Sequence, residues 1–527
     1  MTTLTPVPAQ QNPADEGLGR SDVRLEQGVL HIVHDSLSPE QARTEDLLLI
    51  ARTLEEAGID VLLVRHDLRT PALAIDLVHE KDAIAALQAI CDREPFYAKP
   101  RGMSVVPLAE LDLHVEGPAS LRLFRPRIAG ELRYGVSSGV RVEFWRFGRH
   151  TIEAPVANAL MRRVMATEEA SFTSVTRYGR AWRTVDGMFD THPGEFTSDV
   201  DMVFSWVDGS SSEFQRQRAA RMAEYVVGEG DDGSARYRHV NELRYALRSV
   251  HMYAPWVRRI FIATDSPRPD WLADHPQVTI VRSEEFFADR TALPTHNSHA
   301  VEAQLHRIDG LAEHFLYSND DMFFARPVEP ELFFSPAGVT KFVECEIRIG
   351  TGPSTAQRSG HDNALRVNRA LLQERFGRTI VRDLEHCATP LRRSVMAEME
   401  REFPEDFRRT ATSRFRSATD ISVTNCLYHY YALFTGRAIA TTEPRTRYYQ
   451  TTQAKPLRRA TRLPQRRDVD MFCLNDGGEA DAVPEEMRVQ VITELLERLY
   501  PVRAPWERTD VPPESAKRPR KRAVARR

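Results

Sequence analysis

The chain has 527 residues, 42% hydrophobic and 28% charged, with a formal net charge of −4. That is roughly three domains' worth of chain at about 150 residues each, and its ordinary apolar and charged fractions exclude a disordered or fibrous protein for the bulk of it. A net charge near zero carries no global nucleic-acid signal, so no nucleic-acid partner is expected. The five scattered cysteines (Cys91, Cys345, Cys387, Cys426 and Cys473) form no CxxC pair and read as reduced thiols rather than a zinc ribbon.

Residues 1–20 are rich in Pro, Gln and Thr and have no apolar h-region, so they read as a disordered lead-in and not a signal peptide. No run reaches 18 apolar residues. Together these point to a cytoplasmic protein. Residues 21–195 alternate short apolar runs with helical patterns. Strands are predicted at Val29–Val33, Val61–Val64, Leu111–Val115, Leu121–Phe124 and Val140–Trp145, and helices at Leu47–Ala57 and Asp82–Cys91. This is an α+β accessory domain without a chemical motif of its own.

Residues 198–345 have a different rhythm. Val200–Val207 (VDMVFSWV) is a predicted strand ending in the turn Asp208-Gly209. A helix over Asn241–Tyr253 carries Leu243, Ala246, Leu247 and Val250 on one face. Strands follow at Arg259–Thr264 and Val278–Val281, then a helix at His299–Ile308 and a strand at Phe315–Ser318 ending in Asn319-Asp320-Asp321. This order predicts a mostly parallel α/β sheet covered by helices. Ligands bind such sheets outside the carboxyl ends of the strands, where Asp208, Asp265 and Asp320/Asp321 fall.

Residues 346–480 read as mainly helical, with helices at Asn363–Phe376, Leu391–Phe403 and Ile421–Leu433. A C-terminal helix near Glu485–Leu499 lies within 481–510, and 511–527 is a basic tail. The seven Lys/Arg of 517–527 read as a solvated tail or as attraction to an anionic membrane surface or polymer.

Several residues have chemistry to offer. Asp320 and Asp321 lie between apolar runs, where adjacent carboxylates cost stability unless paired or holding a cation. Mg²⁺ or Mn²⁺ takes hard oxygen ligands and also grips a diphosphate. The alternative is a capped turn. Asp208-Gly209 lets the backbone approach a base or ribose, or is an ordinary strand-ending turn. His299, Glu302 and His306 share the polar face of their predicted helix. No HExxH is present, which excludes a zinc protease. What stays open is a solvated face, or Glu302 aimed at Asp320/Asp321. His386 precedes a helix predicted to start near Pro390, and Arg414 and Arg416 precede one whose N-terminal region holds Asp420. Arg is a natural phosphate clamp.

Together these residues resemble the Stealth family of sugar-phosphate transferases. That family includes bacterial capsule and exopolysaccharide phosphotransferases and the catalytic part of the animal lysosomal-enzyme N-acetylglucosamine-1-phosphotransferase. Its first conserved block is similar to Asp201–Gly209 (DMVFSWVDG). The second is similar to Asn241–Leu272 running on through Asn297–Phe324. The third is similar to Asn363–Asn368, His386–Pro390, Phe403–Arg416 and Asp420, and the fourth to Phe472–Asp476 (FCLND). The resemblance covers roughly residues 198–480 and leaves 21–195 without a role.

The resemblance implies a Rossmann-like, glycosyltransferase-A-like sheet with a helical insertion. By position it implies catalytic roles for Glu302, Asp321, His386 and, thirty positions after that histidine, Arg416. It places Mg²⁺ or Mn²⁺ on Asp320 and Asp321, and donor contacts at Asp208, Gly209, Arg238, Asn319 and Asn363. Some animal members have a second histidine three residues after the first, where this chain has Thr389. That departure bears on the acceptor and not on the core chemistry. The implied reaction moves a sugar-1-phosphate from a UDP-sugar (a UDP-N-acetylhexosamine or UDP-hexose) to a hydroxyl of a polysaccharide or oligosaccharide. UMP leaves, with His386 as general base and Arg416 balancing charge. The rivals are a metal-dependent glycosyltransferase that releases UDP and a non-catalytic polysaccharide-binding protein. Peripheral membrane association and a homo-oligomer stay open.

Overall fold

The computed structural model describes residues 18–66, 70–112, 117–209, 211, 216, 240–466, 468–476 and 483–509. Arg238, the basic tail and the 113–115 part of the predicted Leu111–Val115 strand lie outside the described residues. The chain divides into two compact units, Met1–Glu195 and Phe196–Arg527.

In the first unit the helix Pro39–Glu56 starts well before the expected Leu47. The cause is a capping box. The Gln41 N–H donates to Ser38 Oγ at 3.3 Å, and the Ser38 N–H donates to Gln41 Oε1 at 2.8 Å. Leu47, Ile50, Ala51 and Leu54 line the buried face of this helix and pack on Leu73, Leu121, Leu123, Val140 and Val142 of a mixed sheet. In that sheet Val140–Phe147 runs antiparallel to Ala119–Phe124 and parallel to Pro71–Asp76, a strand the apolar pattern does not predict. Asp46 Oδ1 lies 2.7 Å from Arg125 Nε and 2.8 Å from Arg127 Nη2, a buried ion cluster that pins the helix to the sheet.

The second unit is built on a five-stranded sheet in the order Val278–Val281, Ile260–Ala263, Val200–Ser205, His314–Asn319, Thr389–Arg392. The first four strands are parallel. They are nearly continuous apolar runs because both faces are covered. The fifth is an antiparallel edge, and it corrects the prediction of a helix from Leu391 onward: the helix begins only at Arg393. Pro390 sits opposite Leu316 on this edge, the one place in a sheet where a missing N–H is tolerated. Leu391, Val395, Met396, Met399 and Tyr428 share one core with Val203, Phe261 and Phe315, so residues beyond 346 complete the sheet's own core. That stretch also contributes strands at Arg382–Leu384, Thr446–Gln450 and Met471–Asn475, which the mainly helical expectation lacks.

The predicted His299–Ile308 helix is a short helix, Ser298–Glu302, followed by a tight turn at Leu305–Arg307. His299, Glu302 and His306 are 2%, 3% and 7% exposed, so the solvated-face reading fails. His306 Nε2 meets Glu400 Oε2 at 2.9 Å. The helix Glu485–Leu499 is present as predicted. Beyond it, Glu507 is buried and accepts from Arg244 Nε and Arg248 Nη2, each at 2.7 Å. Among the described residues no helix is long and apolar enough to cross a membrane.

Candidate active site

The carboxyl ends of the parallel strands gather the candidate residues. Ser205 and Asn319 end their strands side by side. The Asp208 N–H donates to Ser266 Oγ at 2.8 Å, which ties the turn after the first strand to the end of the next. Asp265 accepts from the Ser283 N–H at 2.8 Å and so anchors the following helix.

At Asp320-Asp321 the chain reverses into Met322–Phe324, which pairs antiparallel with Met471–Asn475. The Leu474 N–H donates to the Asp321 carbonyl at 3.0 Å, and Cys473 Sγ–H donates to Asp321 Oδ2 at 3.4 Å. Asp321 Oδ1 is buried without a hydrogen-bond partner. Burial, reinforced by the charges of Glu242 and Asp476, pushes the Asp321 carboxyl up to about 7. Burial, together with Asp321 and Glu242, holds Asp320 well above the ordinary carboxylate range. Mutually repelling carboxylates around an unpartnered oxygen are what a hard divalent cation relieves. Among the described residues no three His, Cys, Asp or Glu side chains converge as a metal-holding group. Asp320 and Asp321 are the two carboxylates that would hold such an ion, with water or phosphate oxygens completing its shell.

A second cluster surrounds Glu302. Thr424 Oγ1 donates to its carboxylate at 2.7 Å. Thr424 sits in a wide turn, Val423–Leu427, where the Leu427 N–H reaches the Ser422 carbonyl at 2.9 Å. Such i→i+5 turns concentrate at functional sites. Burial raises the Glu302 pKa against the opposing pull of the Thr424 hydrogen bond and the Arg416 charge. Arg416 Nη2 donates to Ser298 Oγ at 2.8 Å. Tyr317 joins the two clusters. Its hydroxyl donates to Asn319 Oδ1 at 2.9 Å, and burial plus the Glu302 charge hold its proton firmly.

Asn297 fixes the loop that carries Arg416. Its Oδ1 accepts from the His299 N–H at 3.1 Å and caps the Glu302 helix. Its Nδ2 donates to Asp420 Oδ2 at 2.8 Å and to the Ser413 carbonyl at 3.1 Å.

His386 lies on the loop between Arg382–Leu384 and Thr389–Arg392. Its ring centroid is 6.3 Å from that of His361 and 5.1 Å from that of Tyr448. His361 Nε2 meets Asp383 Oδ2 at 2.8 Å. Burial, then the His361 charge, lowers the His386 pKa against the opposing Asp383 charge, so the imidazole is neutral at pH 7. The Tyr448 hydroxyl accepts from Asn475 Nδ2, on the strand that braces Asp321.

Glu302, Arg416, Tyr317 and Asn319 thus form one connected cluster, and the Asp476 charge acts on Asp321 across paired strands. Asn363 is placed otherwise: its amide bonds the Thr355 N–H and the Thr355 and Arg358 carbonyls at 2.8 to 3.2 Å, so it is spent on holding a loop. Sequence reasoning assigned no role to Glu242, which reads locally as a helix-start charge, or to Thr424, which has no local signal. It also passed over the His361–Asp383 pair and Tyr448, which become neighbours of His386 only in the fold.

Family models of the Stealth protein match in four places: conserved region 1 at 198–226, region 2 at 236–342, region 3 at 385–433 and region 4 at 461–518. Asn363–Asn368 falls between the second and third of these. The chain is 52% identical to the exopolysaccharide phosphotransferase CpsY of Mycobacterium tuberculosis, over 91% of each chain. It is 47% identical to an exopolysaccharide phosphotransferase of Nocardia farcinica, over 94% of each. It is 38% identical to one of Streptomyces coelicolor, over 91% of this chain and 85% of that one. Among solved structures, the galactosyltransferase LgtC with donor and acceptor sugar analogs covers 56% of this chain and 95% of its own, at 12% identity and a TM-score of 0.29, too low to argue from. Four ordered blocks and relatives of nearly full length place the chain in the Stealth family.

Proposed function

We propose that this protein transfers a sugar-1-phosphate from a UDP-sugar to a hydroxyl of a saccharide acceptor in exopolysaccharide synthesis. The observation that carries the reading is the convergence of the family's four blocks on the carboxyl end of one sheet. There lie the carboxylates of Asp320 and Asp321, the Arg416 guanidinium bonded to Ser298, and the His386 imidazole beside the rings of His361 and Tyr448. The names of the curated relatives support it.

In this reading the acceptor oxygen attacks the β-phosphorus of the donor. The bond from that phosphorus to the bridging oxygen breaks, and UMP leaves with the bridging oxygen. His386 takes the acceptor proton, which a neutral imidazole is able to do. Arg416 balances charge on the transferred phosphoryl group, held by Ser298 beside Glu302. Asp320 and Asp321 would hold Mg²⁺ or Mn²⁺, which supplies neutralisation of the diphosphate charge. Asp208 and Gly209 border the donor side at the sheet's end. The UDP-sugar donor (a UDP-N-acetylhexosamine or UDP-hexose) places the reaction in the cytoplasm.

The test uses UDP-N-acetylglucosamine labelled on the β-phosphate, then UDP-hexoses, with a divalent ion and an oligosaccharide acceptor. Label in the acceptor with UMP released is the expected result. UDP retaining the label, with sugar alone transferred, would make the protein a glycosyltransferase and overturn the proposal.

A further inference from the structure

Asp420 is a fully buried carboxylate that the reaction above does not use. Its Oδ2 accepts from Asn297 Nδ2 and from the Ser417 N–H, each at 2.8 Å, so its partners are an amide and a backbone group. Burial pushes its carboxyl up to about 6, against these hydrogen bonds and the Arg416 charge, which pull it down. A charge kept inside a protein on neutral donors costs stability. Both donors reach the same oxygen, so the amide oxygen of an asparagine would also receive them. A carboxylate at this position is therefore more than packing and bonding demand, and its neighbours show what it holds.

Residues 296–298 and 413–416 lie side by side. The His296 N–H donates to the Arg414 carbonyl at 2.8 Å. Asn297 Nδ2 donates to the Ser413 and Phe415 carbonyls at 3.1 and 3.3 Å, and Arg416 Nη2 donates to Ser298 Oγ at 2.8 Å. The His296 and Phe415 rings stack with centroids 5.3 Å apart. The stretch that starts the Glu302 helix thus carries the arginine loop. Just past Arg416 the chain turns. The Asp420 N–H donates to the Ser417 carbonyl at 3.3 Å, and the Asp420 carboxylate bonds back to the Ser417 N–H. A charged acceptor makes that bond shorter and stronger than a neutral one would. Asp420 therefore closes the loop at the residue next to Arg416 and fastens it to Asn297, the cap of the Glu302 helix. One joint sets both the helix that bears Glu302 and the loop that bears Arg416.

We propose that Asp420 is a positioning residue for Arg416: with Asn297 it closes the 413–420 loop and holds the guanidinium where the transferred phosphoryl group passes. The inference rests on the role given to Arg416 above.

The experiment uses the full chain with UDP-N-acetylglucosamine as donor. Asp420→Asn should melt at the parent's temperature or above, because a buried charge is removed. Its kcat should fall at least about tenfold, with the donor KM changed less than about twofold, because Arg416 acts on charge that develops in the transition state. A lowered melting temperature with the parent's kcat would make Asp420 a purely structural residue and overturn the proposal. In the Arg416→Ala background, followed by label over long incubations, Asp420→Asn should cost less than about a further twofold, because its target is gone. Equal losses in both backgrounds overturn the proposal. Asn297→Asp sets two carboxylates against each other and should lower both melting temperature and kcat. Adding Asp420→Asn to it restores a donor facing an acceptor, with the helix cap kept, and should recover kcat at least about threefold. A double variant no better than Asn297→Asp alone overturns the joint. The nucleotide released is read in parallel. UDP in place of UMP, with the Asp420 losses intact, defeats only the transfer reading, and UMP released by Asp420→Asn at the parent's rate defeats only the positioning.

Discussion

The Arg416 side chain crosses Gly360 so closely that a Cβ there would stand 2.6 Å from Arg416 Cβ and 2.7 Å from its Cδ. Gly360 opens the helix Gly360–Phe376, where alanine is the better helix former. The glycine is explained by the passage of the arginine, not by the helix. Gly360→Ala should leave the fold intact and displace the guanidinium from Ser298. The expected outcome is a fall in kcat/KM of at least about tenfold, equivalent to about 1.4 kcal/mol. Wild-type kinetics in the variant would show that Arg416 takes no part.

Thr424 supplies the 2.7 Å hydrogen bond that the buried Glu302 carboxylate receives. Thr424→Val removes the donor and keeps the shape. A buried acceptor losing its partner costs about 1–3 kcal/mol, to be read as a lowered denaturation midpoint. In the background of Glu302→Gln, where the charge is already gone, the same change should cost less. Additive losses would contradict the coupling.

The His386 imidazole has its pKa lowered by burial and by the His361 charge, and raised by Asp383. As proton acceptor it works when neutral, so the acid limb of kcat/KM should lie below pH 6.5, the ordinary histidine value. His361→Asn removes a lowering charge and should move the limb to higher pH. Asp383→Asn removes a raising charge and should move it to lower pH. Shifts of the same sign in a pH series of UMP release would sink the arrangement.

Asp321 is the better of the two acid-pair positions for testing the cation. A chelator should abolish turnover, and added Mg²⁺ or Mn²⁺ should restore it. Asp321→Asn should raise the metal concentration giving half-maximal rate by tenfold or more, and the parent's melting temperature should rise with metal where the variant's does not. Turnover indifferent to chelation would remove the ion from the reaction.

Glu507 joins the C-terminal segment to Arg244 and Arg248 on the Glu242–Tyr253 helix. Glu507→Ala leaves two arginines without their buried partner, a loss of about 3–5 kcal/mol, measurable by urea unfolding. Because that helix also bears Glu242 near Asp320, the variant should lose activity at lower denaturant than it loses bulk helicity.

The four parallel strands of the second unit are legible in the chain alone because a strand covered on both faces is written almost wholly in apolar residues. The acids at their carboxyl ends stand out for the same reason, as charges interrupting those runs. Motif order carries Glu302, Asp321, His386 and Arg416 to the site by resemblance. The capping box at Ser38 and Gln41 is also local, and a closer reading of it places the helix start at Pro39. What the chain alone leaves open is decided by contacts between residues far apart. Thr389–Arg392 becomes a strand because the exposed edge of His314–Asn319 receives it, although its own residues fit the start of a helix. The predicted His299–Ile308 helix ends at Glu302 and continues as a tight turn at Leu305–Arg307, with His299, Glu302 and His306 all buried by distant segments. Asp321 and Asp476 share a site only through the pairing of Met322–Phe324 with Met471–Asn475. Local periodicity encodes which segments are apolar and where charge interrupts them. Which charges meet, and how far burial moves their protons, is encoded only in the pairing of distant segments.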